Sequence, residues 1–118
     1  MTVVFMLAVG TVSAAFGQIA GGYGDADPKD KDVIKAAEFA TKKLGTDEMS
    51  KISVVRIEKA RLQVVAGLNY ELCMEVTVKR GSKKASKRYL KAVVYKDLKN
   101  RYSLSNWTIS TDELKCGD

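Results

Sequence analysis

No histidine occurs among the 118 residues. That excludes a Ser-His-Asp triad, a Cys-His nucleophile pair and any histidine-ligated metal. Only two cysteines are present, Cys73 and Cys116, too few for a structural zinc site alone or for a scaffold built on disulfides. A phosphate-cradling loop of the form GxxxxGK[ST] is missing too, as are internal repeats and low-complexity linkers. No catalytic residue, metal or cofactor is expected, and the chain does not read as an enzyme. What is present is ordinary for one globular domain, with 46% apolar and 29% charged residues.

Charge is also missing from Met1 to Gly24. Within that stretch Val3 to Val9 is continuously apolar, and small residues follow through Ala14, Ala15 and Gly17. An apolar run followed by small residues at cleavage-compatible spacing is the pattern of a secretory signal peptide. The run is shorter than the roughly 20 apolar residues a membrane-spanning helix needs. The expected organisation is a signal peptide over 1–17, with cleavage after Ala14 or Ala15 as alternatives, and one domain over 18–118. The mature protein is expected to be secreted and extracellular.

Asp27-Pro28-Lys29-Asp30 reads as a helix start, with Asp27 as N-cap and Pro28 in the first turn. Val33, Ala37, Ala40 and Leu44 recur at helical spacing, Ile34 and Phe39 widen the apolar stripe, and Gly45 offers a C-cap. From Ile52 the period changes to two. Val55 and Ile57, then Tyr70, Leu72, Met74, Val76 and Val78, alternate with polar residues, and two further strands follow over 89–96 and 102–110. One helix followed by antiparallel strands predicts an α+β domain with the helix on the sheet's apolar face.

Between the first two long strands lies Gln63-Val64-Val65-Ala66-Gly67. This resembles the Q-x-V-x-G signature of the cystatins, protein inhibitors of papain-like cysteine proteases. Val55, Ile57 and Ala60 before it, Asn69-Tyr70 after it, Gly21-Gly22 far upstream and Ala37-Glu38-Phe39-Ala40 in the helix extend the likeness over the mature chain. The resemblance implies a cystatin-like fold, one long α-helix packed on a four- to five-stranded antiparallel β-sheet. It also implies a reversible, competitive wedge entering the cleft of a papain- or cathepsin-type protease. Gly21 and Gly22 would hinge the N-terminal trunk, with Ile19 and Ala20 in substrate subsites. Gln63, Val64, Val65, Ala66 and Gly67 would form a first hairpin. Where many cystatins carry Pro-Trp in a second hairpin, this chain has Asp97-Leu98-Lys99-Asn100, so Leu98 would supply that contact; Trp107 falls later and is expected to pack on a strand face. Of the four cysteines usual in secreted animal cystatins, only Cys116 sits where one is expected, and its pairing with Cys73 is left open. Asn106-Trp107-Thr108 is a formal glycosylation sequon inside a strand and is expected to be unused.

Lys79, Arg80, Lys83, Lys84, Lys87, Arg88 and Lys91 lie in a stretch with no acidic residue. Without them the chain is almost neutral, so its net charge of +6 resides in one connection between strands. The plain reading is a solvated, solubilising loop. The alternative function is a non-inhibitory module binding anionic surfaces (glycosaminoglycan, acidic lipid or microbial envelope) through this segment. Nucleic acid is not expected, because no aromatic stacking platform accompanies the charge.

Overall fold

The computed structural model describes residues 22–116, so the predicted signal peptide and Gly21 lie outside the described residues. The elements run β1 Tyr23–Ala26, α1 Lys31–Asp47, β2 Lys51–Val65, β3 Gly67–Lys79, β4 Ser86–Lys96 and β5 Tyr102–Ser110. All five strands join one sheet in sequence order, each antiparallel to its neighbour. The expected α+β architecture of one helix on an antiparallel sheet holds, with five strands.

The helix begins one Asp later than its sequence suggests. Asp27 and Pro28 form a turn in which the Asp30 amide donates to the Asp27 carbonyl at 3.0 Å and the Lys29 amide donates to Asp27 Oδ1 at 2.9 Å. Pro28 pre-sets the backbone of that turn and not of the helix. Asp30 is the N-cap, its Oδ1 accepting from the Asp32 amide at 2.8 Å. Gly45 is likewise not the C-cap but lies inside α1. The helix is closed by paired bonds from the Ser50 amide to the Gly45 carbonyl (2.9 Å) and from the Met49 amide to the Thr46 carbonyl (3.4 Å), with Met49 left-handed at φ 54°. Gly45 is needed for a different reason: a Cβ there would sit 2.8 Å from the Ser50 carbonyl oxygen.

Val33, Ala36, Ala37, Ala40, Thr41, Leu44 and Gly45 form the buried stripe of α1. These small side chains let the helix lie close to the sheet, against Tyr70, Leu72, Met74 and Val76 of β3 and Leu90, Ala92 and Val94 of β4. Thr41 satisfies its buried hydroxyl by donating to the Ala37 carbonyl at 3.1 Å. Phe39 stacks on Tyr102 with ring centroids 5.5 Å apart. Ile34, expected to widen the stripe, is instead exposed. Val55 is exposed as well, because β2 carries two bulges. The pairing passes from Val54↔Val76 to Arg56↔Glu75, then from Ile57↔Met74 to Lys59↔Cys73. Each bulge inserts one residue and resets which side chains face the helix.

The outer face of the sheet carries ion pairs, Arg56 to Glu75 at 2.6 Å, Arg61 to Glu71 at 3.1 Å and Lys91 to Glu71 at 3.9 Å. Cys73, on that same face, is only 4% exposed and is bonded to Cys116, their Cα atoms 5.8 Å apart. The pairing that the sequence leaves open is therefore made, and it ties the segment after β5 across the outer face of β3.

Candidate functional site

The β2–β3 hairpin narrows to a tip at 63–67. Gln63, Val64 and Val65 end β2, Ala66 turns and Gly67 opens β3. Val64 and Val65 are about two-fifths exposed, at 42% and 39%. Apolar side chains held this open at the end of a rigid ribbon are poorly placed for folding and well placed for burial in a partner. Gly67 adopts φ +114°, and a Cβ there would overlap the Lys96 carbonyl oxygen and lie 2.9 Å from Tyr95 Oη. Only glycine fits both the backbone angle and the space. Tyr95 Oη donates to the Ala66 carbonyl, so β4 grips the tip from behind. Gln63 is held across the ribbon, Asn69 Nδ2 donating to its Oε1 at 2.8 Å.

Beside this tip lies the loop joining β4 to β5. Asp97 organises it: the carboxylate accepts from the amides of Lys99 (2.8 Å) and Arg101 (2.9 Å) and from Arg101 Nε (2.7 Å). The Arg101 amide, then its guanidinium, then the Lys99 amide hold the Asp97 carboxyl below its ordinary value. Asn100 takes the left-handed turn position at φ 64°. The result presents Leu98 outward at 79% exposure. Val64, Val65, Gly67, Leu68, Lys96, Leu98 and Asn100 line a shared depression of about 330 Å³.

The N-terminal strand reaches the same end. Gly22 precedes Tyr23, which pairs with Gln63. The Arg61 guanidinium lies 5.1 Å from the Tyr23 ring centroid, fixing β1 to β2. Burial, then the Glu71 carboxylate, raise the Tyr23 hydroxyl above its ordinary value, with Arg61 opposing. Gly22, the Gln63–Gly67 tip and Leu98 are thus brought to one end of the sheet, while Gly21 lies outside the described residues.

Six of the seven cations of the basic segment, Lys79 to Arg88, are toward the other end, Lys91 lies midway along β4 opposite Cys73, and the seven do not form one patch. Arg80, Lys83, Lys84 and Arg88 line a depression of about 240 Å³ with Val78, Ser86 and Ile109. Lys79 faces a separate depression beside Met49 and Ser50. Lys87 and Lys91 turn to the outer face, Lys87 Nζ 5.4 Å from the Tyr89 ring centroid and Lys91 against Glu71. Trp107 is 39% exposed on β5 opposite Ala92. Asn106 is exposed, its Oδ1 accepting from the Trp107 amide at 2.9 Å.

Tyr95, Asn69 and Asp97 support this end from behind; the sequence gives Asn69 only as a flank of the signature, Asp97 only as part of the second loop, and Tyr95 no role. Asp97-Leu98-Lys99-Asn100 carries a readable turn signal. Tyr95 carries none, because the carbonyl it binds is 29 residues away. Among the described residues no helix is long and apolar enough to cross a membrane, and no cluster of three or more metal-ligating side chains occurs.

A family model described as a cystatin domain matches residues 21–112. L-cystatin of Tachypleus tridentatus is 44% identical over 66 residues, covering 54% of this chain; the match spans about half the length (50%) of that relative. The crystal structure of a salivary cystatin from the soft tick Ornithodoros moubata superposes with a TM-score of 0.64 at 27% identity, covering 78% of this chain and 99% of that one. The crystal structure of Al-CPI gives a TM-score of 0.59 at 16% identity, over 76% of this chain and 100% of that one, a likeness of fold.

Proposed function

The chain belongs to the cystatin family, generally inhibitors of cysteine proteases, and on that premise we propose that it inhibits papain-like enzymes as a reversible, competitive wedge. The observation that carries this reading is the convergence of exposed Val64, Val65 and Leu98 with the start of β1 at one narrow end. Full burial of an exposed aliphatic side chain contributes about 1.5–3 kcal/mol, so Leu98 at 79% exposure gains most of that on entering a cleft, and Val64 and Val65, already more than half covered, gain less than half of it. The ribbon is rigid before it meets a partner, so little ordering entropy is lost on binding. Tyr95 and Asp97 hold the two loops in register from within the inhibitor.

Val64 and Val65 enter the cleft, and Leu98 meets its primed-side wall. The residues before Tyr23, with Gly21 and Gly22 as hinge, lie along the non-primed subsites. The turn at Ala66 and Gly67 directs a closed loop at the protease and offers no extended scissile bond, so the complex dissociates intact. The reading includes a secretory leader over 1–17 and an extracellular protein, which suits the Cys73–Cys116 disulfide.

Titration of papain, then of a cathepsin L-type and a cathepsin B-type protease, tests the proposal. Stoichiometric competitive inhibition is expected from the wild type. Gly67→Trp should weaken it by about 100-fold or more, since the tip can no longer close on β4. A folded wild type that leaves all three enzymes active at micromolar concentration overturns the reading.

A further inference from the structure

The chain has five arginines, and three of them face carboxylates: Arg56 against Glu75 at 2.6 Å, Arg61 against Glu71 at 3.1 Å and Arg101 against Asp97 at 2.7 Å. Arg80 and Arg88 have no carboxylate at ion-pair distance among the described residues, and both line the same depression together with Lys83 and Lys84. Among the described residues no acidic side chain lines it. Its floor is Val78 and Ile109, and the Ser86 hydroxyl adds a neutral donor.

The loop is built to hold these cations. The Lys83 amide donates to the Arg80 carbonyl at 3.1 Å, with Gly81 left-handed at φ 57°. Arg80 and Lys83 therefore stand at the two ends of one tight turn. Arg88 is fixed on β4 opposite Val76, with Nη1 donating to the Lys87 carbonyl at 2.8 Å. Four like charges gathered without counter-charge cost stability through mutual repulsion. Planar guanidiniums with unspent donors match oxyanions in bidentate geometry.

We infer that this depression binds a sulfate group of a sulfated polysaccharide, with Arg80, Lys83, Lys84 and Arg88 as its ligands. The ligand is a chain of anions and not a single ion, because Lys87, next to Arg88 on β4, continues the positive potential onto the outer face. A membrane fits less well: the turn Arg80-Gly81-Ser82-Lys83 presents no large apolar side chain for insertion. A nucleic acid fits less well too, since the nearest aromatic, Tyr89, already has Lys87 over its ring. The site lies the length of β3 away from the Gln63–Gly67 tip, roughly 40 Å at strand rise. A protease and a glycan would therefore be held at the same time.

Calorimetric titration of the protein with a heparin hexasaccharide, without protease, tests this site independently of the inhibitor reading. Arg80→Ser/Arg88→Ser is expected to weaken binding about tenfold or more, while Lys87→Ser/Lys91→Ser, which removes the same charge, weakens it less than about threefold. Arg80→Lys/Arg88→Lys keeps the charge and should fall between, which separates lost geometry from lost folding. Fully desulfated hexasaccharide should not bind. Equal losses in the two Ser pairs, or no wild-type binding at physiological salt, would overturn the site. Tighter binding to phosphatidylserine vesicles or to single-stranded DNA than to the hexasaccharide would overturn the glycan assignment.

Discussion

Tyr95 is the residue on which the candidate protease-binding end depends in a way no short motif reveals. Its hydroxyl donates to the Ala66 carbonyl, and its ring edge meets the space beside Gly67. Gln63 to Gly67 are legible because their signature is local, five consecutive residues. Tyr95 is not, because its role depends on a β3–β4 register that places Asn69 opposite it. Tyr95→Phe removes one hydrogen bond to an exposed turn and leaves the ring. Overall stability should drop by about 0.5–1.5 kcal/mol. Inhibition of papain should weaken by a larger factor than stability alone explains, with the loss read mainly in the dissociation rate. Equal inhibition by Phe and Tyr would remove Tyr95 from the positioning role.

At the scale of elements, the loop between β4 and β5 has its own pH limit. Asp97 accepts its hydrogen bonds as a carboxylate, and its folded value lies below the ordinary 3.8. A lowered folded value means that the stabilisation is present above the ordinary value and disappears as pH falls through the lowered one. The loop carrying Leu98 should stay formed through mildly acidic conditions and loosen only in strong acid. NMR titration of the Asp97 carboxyl, read beside the amides of Leu98 and Lys99, should give a midpoint below 3.8. A midpoint at or above it would show that the turn is not held by the ionised form. The elements also show where sequence reading stops. The helix face was legible from Val33, Ala37, Ala40 and Leu44 because their spacing is set by the helix itself. Its start was displaced because Asp27 and Asp30 are both good caps, and only the turn at Pro28 decides between them. Unbroken alternation puts Val55 on the buried face with Ile57, whereas the bulge that turns it outward depends on the partner strand.

Across the whole molecule, the Cys73–Cys116 bond closes a loop of 43 residues that contains all of β4 and β5. In the chain-entropy account a loop of that length is worth about 4 kcal/mol, and measured values run about 2–4. Cys73→Ser/Cys116→Ser should lower the denaturant midpoint accordingly and leave papain inhibition nearly unchanged, since neither cysteine lies at the hairpin end. An unchanged midpoint would mean that the covered outer face contributes what the bond was credited with. The sequence held both thiols but not their proximity, because Cys73 alternates with Glu71 and Glu75 on a face that reads as solvent-facing until the tail crosses it.

The two irregularities in β2 have a consequence beyond turning Val55 outward. β1 covers only Ala60 to Gln63 of that strand, so among the described residues Lys51 to Lys59 have a strand partner on one side only. A straight border of that length would be a template on which a second copy could add strands without limit. The extra residues at Val55 and Glu58 break its hydrogen-bonding rhythm twice, and Lys51, Arg56 and Lys59 place charge along it. The irregularities that turn Val55 outward thus also make this border a poor template for strand addition by a second copy.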